Sequence, residues 1–471
     1  MSQISAEGID TSVVKKWKRY PAYKDSGVEW LGEIPEHWKV LSVRRLAGLI
    51  EQGWSPVAED RLASEDEWGV IKLSAVSQGL FRPEEHKTLP ENVEADTRYE
   101  IQTGDFLLTR ANTPNLVGDV CVVSNTRPQL MLCDLVYRVS VDDNRISRNY
   151  LCYWFLSRVG RYQITCDARG SSLSMVKVSQ NSIRSWLVAL PPYAELKAIA
   201  SFLDRETAKI DALIAKKERL IKLLQEKRTA IISHAVTKGL DPTVPLEDSG
   251  VDWLGEVPGH WEVKRIKYLA IGQNCGIQMG PFGGLLKDLS VEETGFKVYG
   301  QENTINDDFT AGHRWITYKQ LLEMARYSIR KGDLLLTRKG SIGKCRVVPD
   351  DVIPGIIDSD TIRVRVNEDQ ILKGFLVRLM HEAWYLQEQI VWNSRGAIVT
   401  GLNTTTIAEL RVAVPPLSEQ KAIASYLDRE TTKIDALIAK IREGIEKLKE
   451  YRTALISSAV TGTIDVRELT D

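Results

Sequence analysis

The sequence predicts an α+β protein built twice over. Two mixed α/β domains are separated by two long antiparallel α-helices that form a coiled coil, and the whole is a pseudo-twofold internal repeat. Three observations predict this. Asp25-Ser26-Gly27-Val28-Glu29-Trp30-Leu31-Gly32-Glu33-Ile34-Pro35 returns as Asp248-Ser249-Gly250-Val251-Asp252-Trp253-Leu254-Gly255-Glu256-Val257-Pro258, 223 residues later. A second block opens at Pro191-Pro192 and returns from Pro415-Pro416, 224 residues later. The stretches 195–236 and 419–460 contain no proline and only one glycine, Gly444. Between the two blocks the halves diverge, so one frame carries two fillings.

Each half repeats the same order of elements, and four segments follow from it. These are a first domain with its N-terminal arm over 1–190, a helical spacer over 191–240, a second domain over 241–413 and a C-terminal spacer over 414–471. The Trp-Leu-Gly-Glu-x-Pro block carries an early turn. A long mixed region follows, roughly 40–190 and 263–413, with period-two apolar stretches. Asp105-Phe106-Leu107-Leu108-Thr109-Arg110 and Asp333-Leu334-Leu335-Leu336-Thr337-Arg338 each follow a glycine, Gly104 or Gly332, and read as buried strands. Trp186–Leu190 and Leu410–Val414 read as the last strands. The proline pairs end them, because proline has no N–H to give to a ladder.

The segments after the prolines are rich in Ala, Leu, Ile, Glu, Lys and Arg, which favour helix. At ~1.5 Å per residue, about 40 residues make a rod on the order of 60 Å. Asp204-Arg205-Glu206-Thr207 marks where a kink would fall. A heptad seam is expected through Ile210, Leu213, Leu220, Leu224 and Ile231, and through Ile434, Leu437, Ile441, Leu448 and Leu455, with flaws at Lys217 and Gly444. Mutual antiparallel packing of the rods buries both seams; the other arrangement lays each rod on its own domain. Gly239 and Gly462 stand where helices stop. Residues 240–250, with Pro242 and Pro245, link the halves.

At 471 residues the chain exceeds one core. Its 43% hydrophobic and 27% charged residues are ordinary for a globular protein. No apolar run reaches the roughly 20 residues a membrane helix needs, and the first residues lack a signal pattern, so the cytoplasm is the expected location. The six cysteines form no Cys-x-x-Cys pair and do not recur between the halves, so neither a disulfide framework nor a zinc site is expected. His37-Trp38 and His260-Trp261 do recur, and a packing or capping role suits them better than metal ligation. A net charge of −1 argues against coating nucleic acid by charge alone, though not against a local basic surface.

Catalytic motifs are incomplete throughout. Leu190-Pro191-Pro192-Tyr193 contains the Pro-Pro-Tyr core of amino-methyltransferases, but Leu190 cannot accept a hydrogen bond from a target amine, and the copy reads Val414-Pro415-Pro416-Leu417. Gly340-Ser341-Ile342-Gly343-Lys344-Cys345 lacks the glycine spacing and the Ser or Thr of a phosphate loop. Pro349-Asp350-Asp351 is not followed by the Glu-x-Lys of a metal-dependent nuclease. No cofactor or metal site is expected in this chain.

The differing loops are the candidate ligand surfaces. Trp54 and Ser55 lie in the loop Gln52-Gly53-Trp54-Ser55-Pro56; Lys287 lies in its positional partner, which begins at Gly280. Arg110 and Asn112 face Arg338 and Lys339 in the repeat. Arg169, Ser171 and Ser172 match the segment holding Arg395 and Thr400. Arg, Lys, Asn, Ser and Thr on glycine-bearing loops suit phosphates and base edges.

At these residues the chain resembles a known family. Pro-Pro-x-x-Glu-x-Lys-Ala-Ile-Ala-Ser-x-Leu-Asp (191–204), Lys209-Ile210-Asp211-Ala212-Leu213-Ile214, the closing Arg-Thr-Ala-x-Ile-Ser-x-Ala-Val-Thr (228–237) and Ser-Gly-Val-Glu-Trp-Leu-Gly-Glu-Ile-Pro-Glu-His-Trp (26–38) resemble the conserved regions of type I restriction-modification specificity (S) subunits. The resemblance covers essentially the whole chain; Leu196 departs from it where the second copy has Gln420. It implies two target recognition domains, each reading half of a split sequence in double-stranded DNA, and helices that act as a ruler between the half-sites. It implies docking of two modification (methyltransferase) subunits that carry S-adenosylmethionine, and of restriction (translocase/endonuclease) subunits that use ATP and Mg. Catalysis would then lie in those partners. The alternative is a coiled-coil protein-binding scaffold without sequence-specific DNA reading, and a third reading is an enzyme with an unrecognised site in residues 40–190.

Overall fold

The structure is a computed structural model that describes residues 17–172, 175–282, 286, 289, 295–339, 343–394 and 401–468. It is α+β, and it falls into two compact units. The first unit comprises the chain up to Glu218 together with Arg442–Asp471; the second is Arg219–Ile441. No described helix is long and apolar enough to cross a membrane.

The first unit centres on a four-stranded antiparallel sheet in the order Val120–Val122, Phe106–Thr109, Val136–Val141, Ala47–Gln52. Every residue of Phe106–Thr109 is buried, as its apolar run requires. Leu130–Met131 pairs in parallel with Gly69–Ile71, which pairs antiparallel with His86–Thr88. The domain closes where Leu187–Leu190 pairs with Lys39–Ser42, so the last strand lies beside the first residues of the mixed region. The Trp-Leu-Gly-Glu-x-Pro block forms the hairpin Tyr23–Asp25 with Glu33–Pro35. Its turn needs left-handed backbone at Gly27 and Gly32, which only glycine adopts without strain.

The second unit repeats this plan. Its four-stranded sheet runs Ile277–Met279, Thr361–Val364, Leu334–Thr337, Cys345–Val347. Phe296–Tyr299 pairs in parallel with Gly355–Ile357 and antiparallel with Trp315–Ile316. Arg411–Val414 closes on Glu262–Arg265, and Leu246–Asp248 forms a hairpin with Glu256–Pro258.

The two long helices are Tyr193–Lys238 and Leu417–Val460. The first runs unbroken through Asp204–Thr207, where a kink was expected, and the second through the matching Asp428–Thr431. The Thr207 and Thr431 hydroxyls each donate to the carbonyl four residues back, Leu203 and Leu427, at 2.7 Å, so these side chains are satisfied within the helix. In the first unit the helices pair antiparallel. Arg452 Nε donates to Asp211 at 2.9 Å, while Gly444 lies beside Lys217. Ile210 and Ile214 share one core with Leu448, Tyr451 and Leu455. In the second unit Arg228 pairs with Asp435 at 3.3 Å, and Ile231 and Ile232 share a core with Ile423 and Leu427.

The seam differs from the expected one at three positions. Leu213, Leu220 and Leu437 are 42%, 44% and 44% exposed, and the next residues, Ile214, Ile221 and Ile438, turn inward instead. Ile438 is buried, as are Ile434, Ile441, Ile445 and Leu455; Leu448, Leu224 and Ile231 are half-buried. The inward positions of the second helix are thus spaced four, three, four, three, the step that keeps one stripe facing a partner. Lys217 and Arg228 occupy the same stripe and stay half-buried.

Candidate nucleic-acid interface

At one end of the first unit, three loops are stitched together by backbone bonds. Ala47–Gln52 runs into Gly53, whose N–H donates to Val136 O at 3.3 Å. A side chain at Gly53 would stand 2.3 Å from the carbonyl oxygen of Leu132, so the close approach requires glycine. Trp54 N–H then donates to Leu132 O at 3.0 Å. Ser55 Oγ donates to Asp134 at 2.5 Å, and Asp134 N–H returns a bond to Ser55 Oγ at 3.0 Å. Arg110 N–H donates to the neighbouring Leu135 O at 2.7 Å, and Val178 N–H donates to Arg110 O at 2.9 Å. Ala111–Asn112 pairs with Met175–Lys177, which pairs in turn with Arg169–Ser172.

Trp54, Ser55, Arg110, Asn112 and Arg169 therefore converge, with the backbone of Ser171 and Ser172 at the tip of the same hairpin. Trp54 is 38% exposed, and Arg169 is exposed. Lys177 lies opposite Arg169 across the ladder and is also exposed. Arg110, Arg169 and Lys177 make no ion pair among the described residues. Cations left without carboxylates beside a polar loop suit an anionic backbone. Lys177, Met175 and Asp134 were missed in the sequence. A signal for two of them was present: Val176 and Val178 are buried, so period-two alternation turns Met175 and Lys177 outward.

The second unit treats the matching positions differently. Gly280 repeats the close approach of Gly53, since a side chain there would meet the carbonyl of Asp358. Arg338 donates to Leu402 O at 3.0 Å and Ser359 O at 3.4 Å, and its guanidinium lies 5.1 Å from the Phe282 ring centre. Only 13% of its side chain is exposed, so Arg338 buttresses the rim of the loops rather than reaching out from it. Lys339 pairs with Asp360 at 2.9 Å and is half-exposed. Lys287, Arg395 and Thr400 lie outside the described residues.

The repeated His-Trp pairs hold the starts of the long helices. In the first unit His37 Nε2 lies 2.8 Å from Glu195, and Trp38 Nε1 donates to Glu195 at 3.0 Å. The Tyr20 hydroxyl also donates to Glu195; burial first, and then the neighbouring carboxylate, push the phenol far above its ordinary value. In the second unit His260 and Trp261 hold Glu419 at 2.6 and 3.0 Å. A carboxylate in the first turn meets the unpaired N–H groups and the positive end of the helix.

Residues 282–447 match the type I restriction modification DNA specificity domain family. The chain is 33% identical over 206 residues to the Type I restriction enzyme EcoEI specificity subunit of Escherichia coli, covering 43% of this chain and 34% of that one. It thus spans about a third of that relative's length. It is 22% identical over 453 residues to the Putative type I restriction enzyme MjaX specificity subunit of Methanocaldococcus jannaschii, covering 93% of this chain and 96% of that one. The chain is similar to type I restriction-modification specificity subunits. A chain solved in work on complex assembly and conformational transition of the type I R-M system shares the fold, with a TM-score of 0.61 at 16% identity over 91% of this chain and 98% of that chain. The family match takes in most of the second domain and much of the second helix, so it covers one of the two repeats directly.

Proposed function

We propose that this chain is the non-catalytic specificity subunit of a type I restriction-modification complex, that it reads a bipartite sequence in double-stranded DNA, and that it scaffolds that complex in the cytoplasm. Residues 1–190 and 241–413 are its two target recognition domains, and 191–240 and 414–471 are the spacers that set the gap between half-sites. Two adenine-methyltransferase subunits dock on the repeated frame and bring S-adenosylmethionine; restriction subunits bring ATP and Mg.

One observation carries the reading most directly. The same strand order occurs twice, yet the loops at matching positions present different chemistry. Among the described residues Arg110 and Arg169 make no ion pair in the first unit, whereas Arg338 is bound into the rim and Lys339 is paired in the second. Two equivalent frames with unlike contact loops suit two unlike half-sites. The reconstituted complex tests this by sequencing methylated adenines after residues 40–190 are exchanged for those of a relative. One half of the methylated site should change and the other stay. A change in both halves, or in neither, overturns the reading.

A further inference from the structure

The two units hold one pair of equivalent positions in opposite chemical states. In the second unit, helix Lys373–Glu382 lies beside the second long helix, and Arg378 pairs with Asp428 there. Arg378 also donates to Glu382 at 3.0 Å, and Arg228 reaches both Glu382 and Asp435 at 3.3 Å. Asp428, Arg378, Glu382, Arg228 and Asp435 form one continuous line of alternating charge.

The first unit repeats the frame with helix Arg148–Leu156. Tyr153 stands at the position of Arg378 and Ser157 at that of Glu382. Asp204, Asp211 and Arg452 stand at those of Asp428, Asp435 and Arg228. Asp211 keeps its arginine, Arg452, at 2.9 Å. Asp204 has none. Its carboxylate accepts from the Tyr153 hydroxyl at 2.7 Å and from the Asn149 amide at 3.2 Å, and it makes no ion pair among the described residues. Beside it opens a cleft of about 590 Å³. Leu80, Phe81, Leu156 and Ala208 give the cleft apolar walls, and Leu80 is 50% exposed at its hairpin.

These features select one kind of occupant. A carboxylate already oriented by two neutral donors loses little freedom when a cation arrives. Apolar walls cover the methylene stem of a long side chain while its charged head meets the carboxylate. The planar fork of a guanidinium matches a carboxylate better than an ammonium does. We propose that this cleft receives an arginine side chain presented by a partner protein, whose guanidinium stands at Asp204 as Arg378 stands at Asp428. The occupant is a protein segment and not free arginine. The cleft sets two carboxylates, Asp204 and Asp211, against one guanidinium, Arg452, and so opposes a ligand that brings its own carboxylate. The proposal does not depend on which DNA is read.

Ligand-observed NMR on the full chain tests it. The probe is N-acetyl-arginine N-methylamide, and N-acetyl-citrulline N-methylamide is its uncharged shape match. The arginine compound should bind about tenfold tighter, as a charge-assisted bond beats a neutral one. Asp204→Asn should remove that preference. Tyr153→Arg should remove it as well by supplying the guanidinium from within, while Tyr153→Phe should keep it. Equal binding of the two compounds overturns the proposal. So does a preference that survives both Asp204→Asn and Tyr153→Arg, and so does tighter binding of free L-arginine than of the blocked compound.

Discussion

Trp38 donates its indole N–H to Glu195 at 3.0 Å, and the first long helix is pinned to its domain through that bond. Trp261 and Glu419 repeat the relationship at 3.0 Å in the second unit. The copies differ in burial: the Glu195 side chain is 6% exposed and that of Glu419 39%. Removing Glu195 leaves the buried Trp38 and Tyr20 donors facing a dry site, whereas water can reach those left by Glu419. Glu195→Ala should therefore destabilise its unit by about 3 kcal/mol and Glu419→Ala by about 1 kcal/mol. Urea titration with hydrogen exchange resolved by unit measures both. Equal losses would show that burial does not set the difference.

The corrected seam separates neighbouring residues. Ile438 is buried, while Leu437 beside it is 44% exposed. Ile438→Asp places an unpaired carboxylate in the stripe and should cost about 3–5 kcal/mol. Leu437→Asp should change stability by no more than about 0.5 kcal/mol. Thermal melting of the two variants distinguishes the two registers directly.

Gly444 sits in the middle of a helix, where glycine is unfavourable. A methyl group there would lie 3.5 Å from Lys217 Nζ, an ordinary contact with the end of a flexible side chain. Gly444→Ala should raise stability by about 0.5–1 kcal/mol. A lower melting temperature would show that the added methyl is not accommodated beside Lys217.

His381 gives the second unit a dependence on pH. Its Nε2 accepts the backbone N–H of Cys345 at 2.9 Å, which requires the neutral ring. Burial first, and the Arg346 guanidinium second, hold its pKa below the ordinary 6.5. The unfolded chain then binds the proton more readily than the folded one. Stability from this group is complete above the unfolded value and declines as pH falls through it towards the lower folded value. His381→Gln, which keeps an acceptor for Cys345, should flatten the loss seen on acidification from neutral pH. Parallel urea titrations across that interval check the slope.

The strands were legible because their apolar runs are short and bounded by glycine and proline: Phe106–Thr109 and Leu334–Thr337 are buried along their whole length. The helices were legible from composition and punctuation. The seam was less so. Leu213-Ile214, Leu220-Ile221 and Leu437-Ile438 each offer two apolar residues about 100° apart on the helix, and only the partner decides which one turns in. The partners of His37 and His260 lie more than 150 residues away, so periodicity could not supply Glu195 or Glu419. Arg110 and Arg338 follow equivalent strands and look alike in sequence. Their different surroundings depend on Leu402, Ser359 and Phe282, which come near Arg338 only in the folded unit.

Arg138 was also missed. It joins Glu51, Asp105 and the carbonyls of Arg98 and Glu100 within the first unit, with its single shortest bond made to Glu51. Arg363 takes the matching position and donates to the carbonyls of Arg326 and Ser328, but Gln278 stands where Glu51 would be. A lone arginine amid period-two residues reads as a solvated position. Its role emerges only when three separate segments meet on it.

The division into units fixes an order of events during synthesis. The second unit is one continuous stretch, Arg219–Ile441, whereas the first is completed by Arg442–Asp471. Ile464 and Val466 lie fully buried in the first unit's core, and Tyr23 donates to the carbonyl of Gly462. A ribosome that has passed Ile441 has released everything the later half needs to close, while the half made first still lacks the piece that covers Ile210 and Trp38. The earliest part of the polypeptide is the last to become native, and it waits with an open apolar flank that a chaperone or a partner can shield.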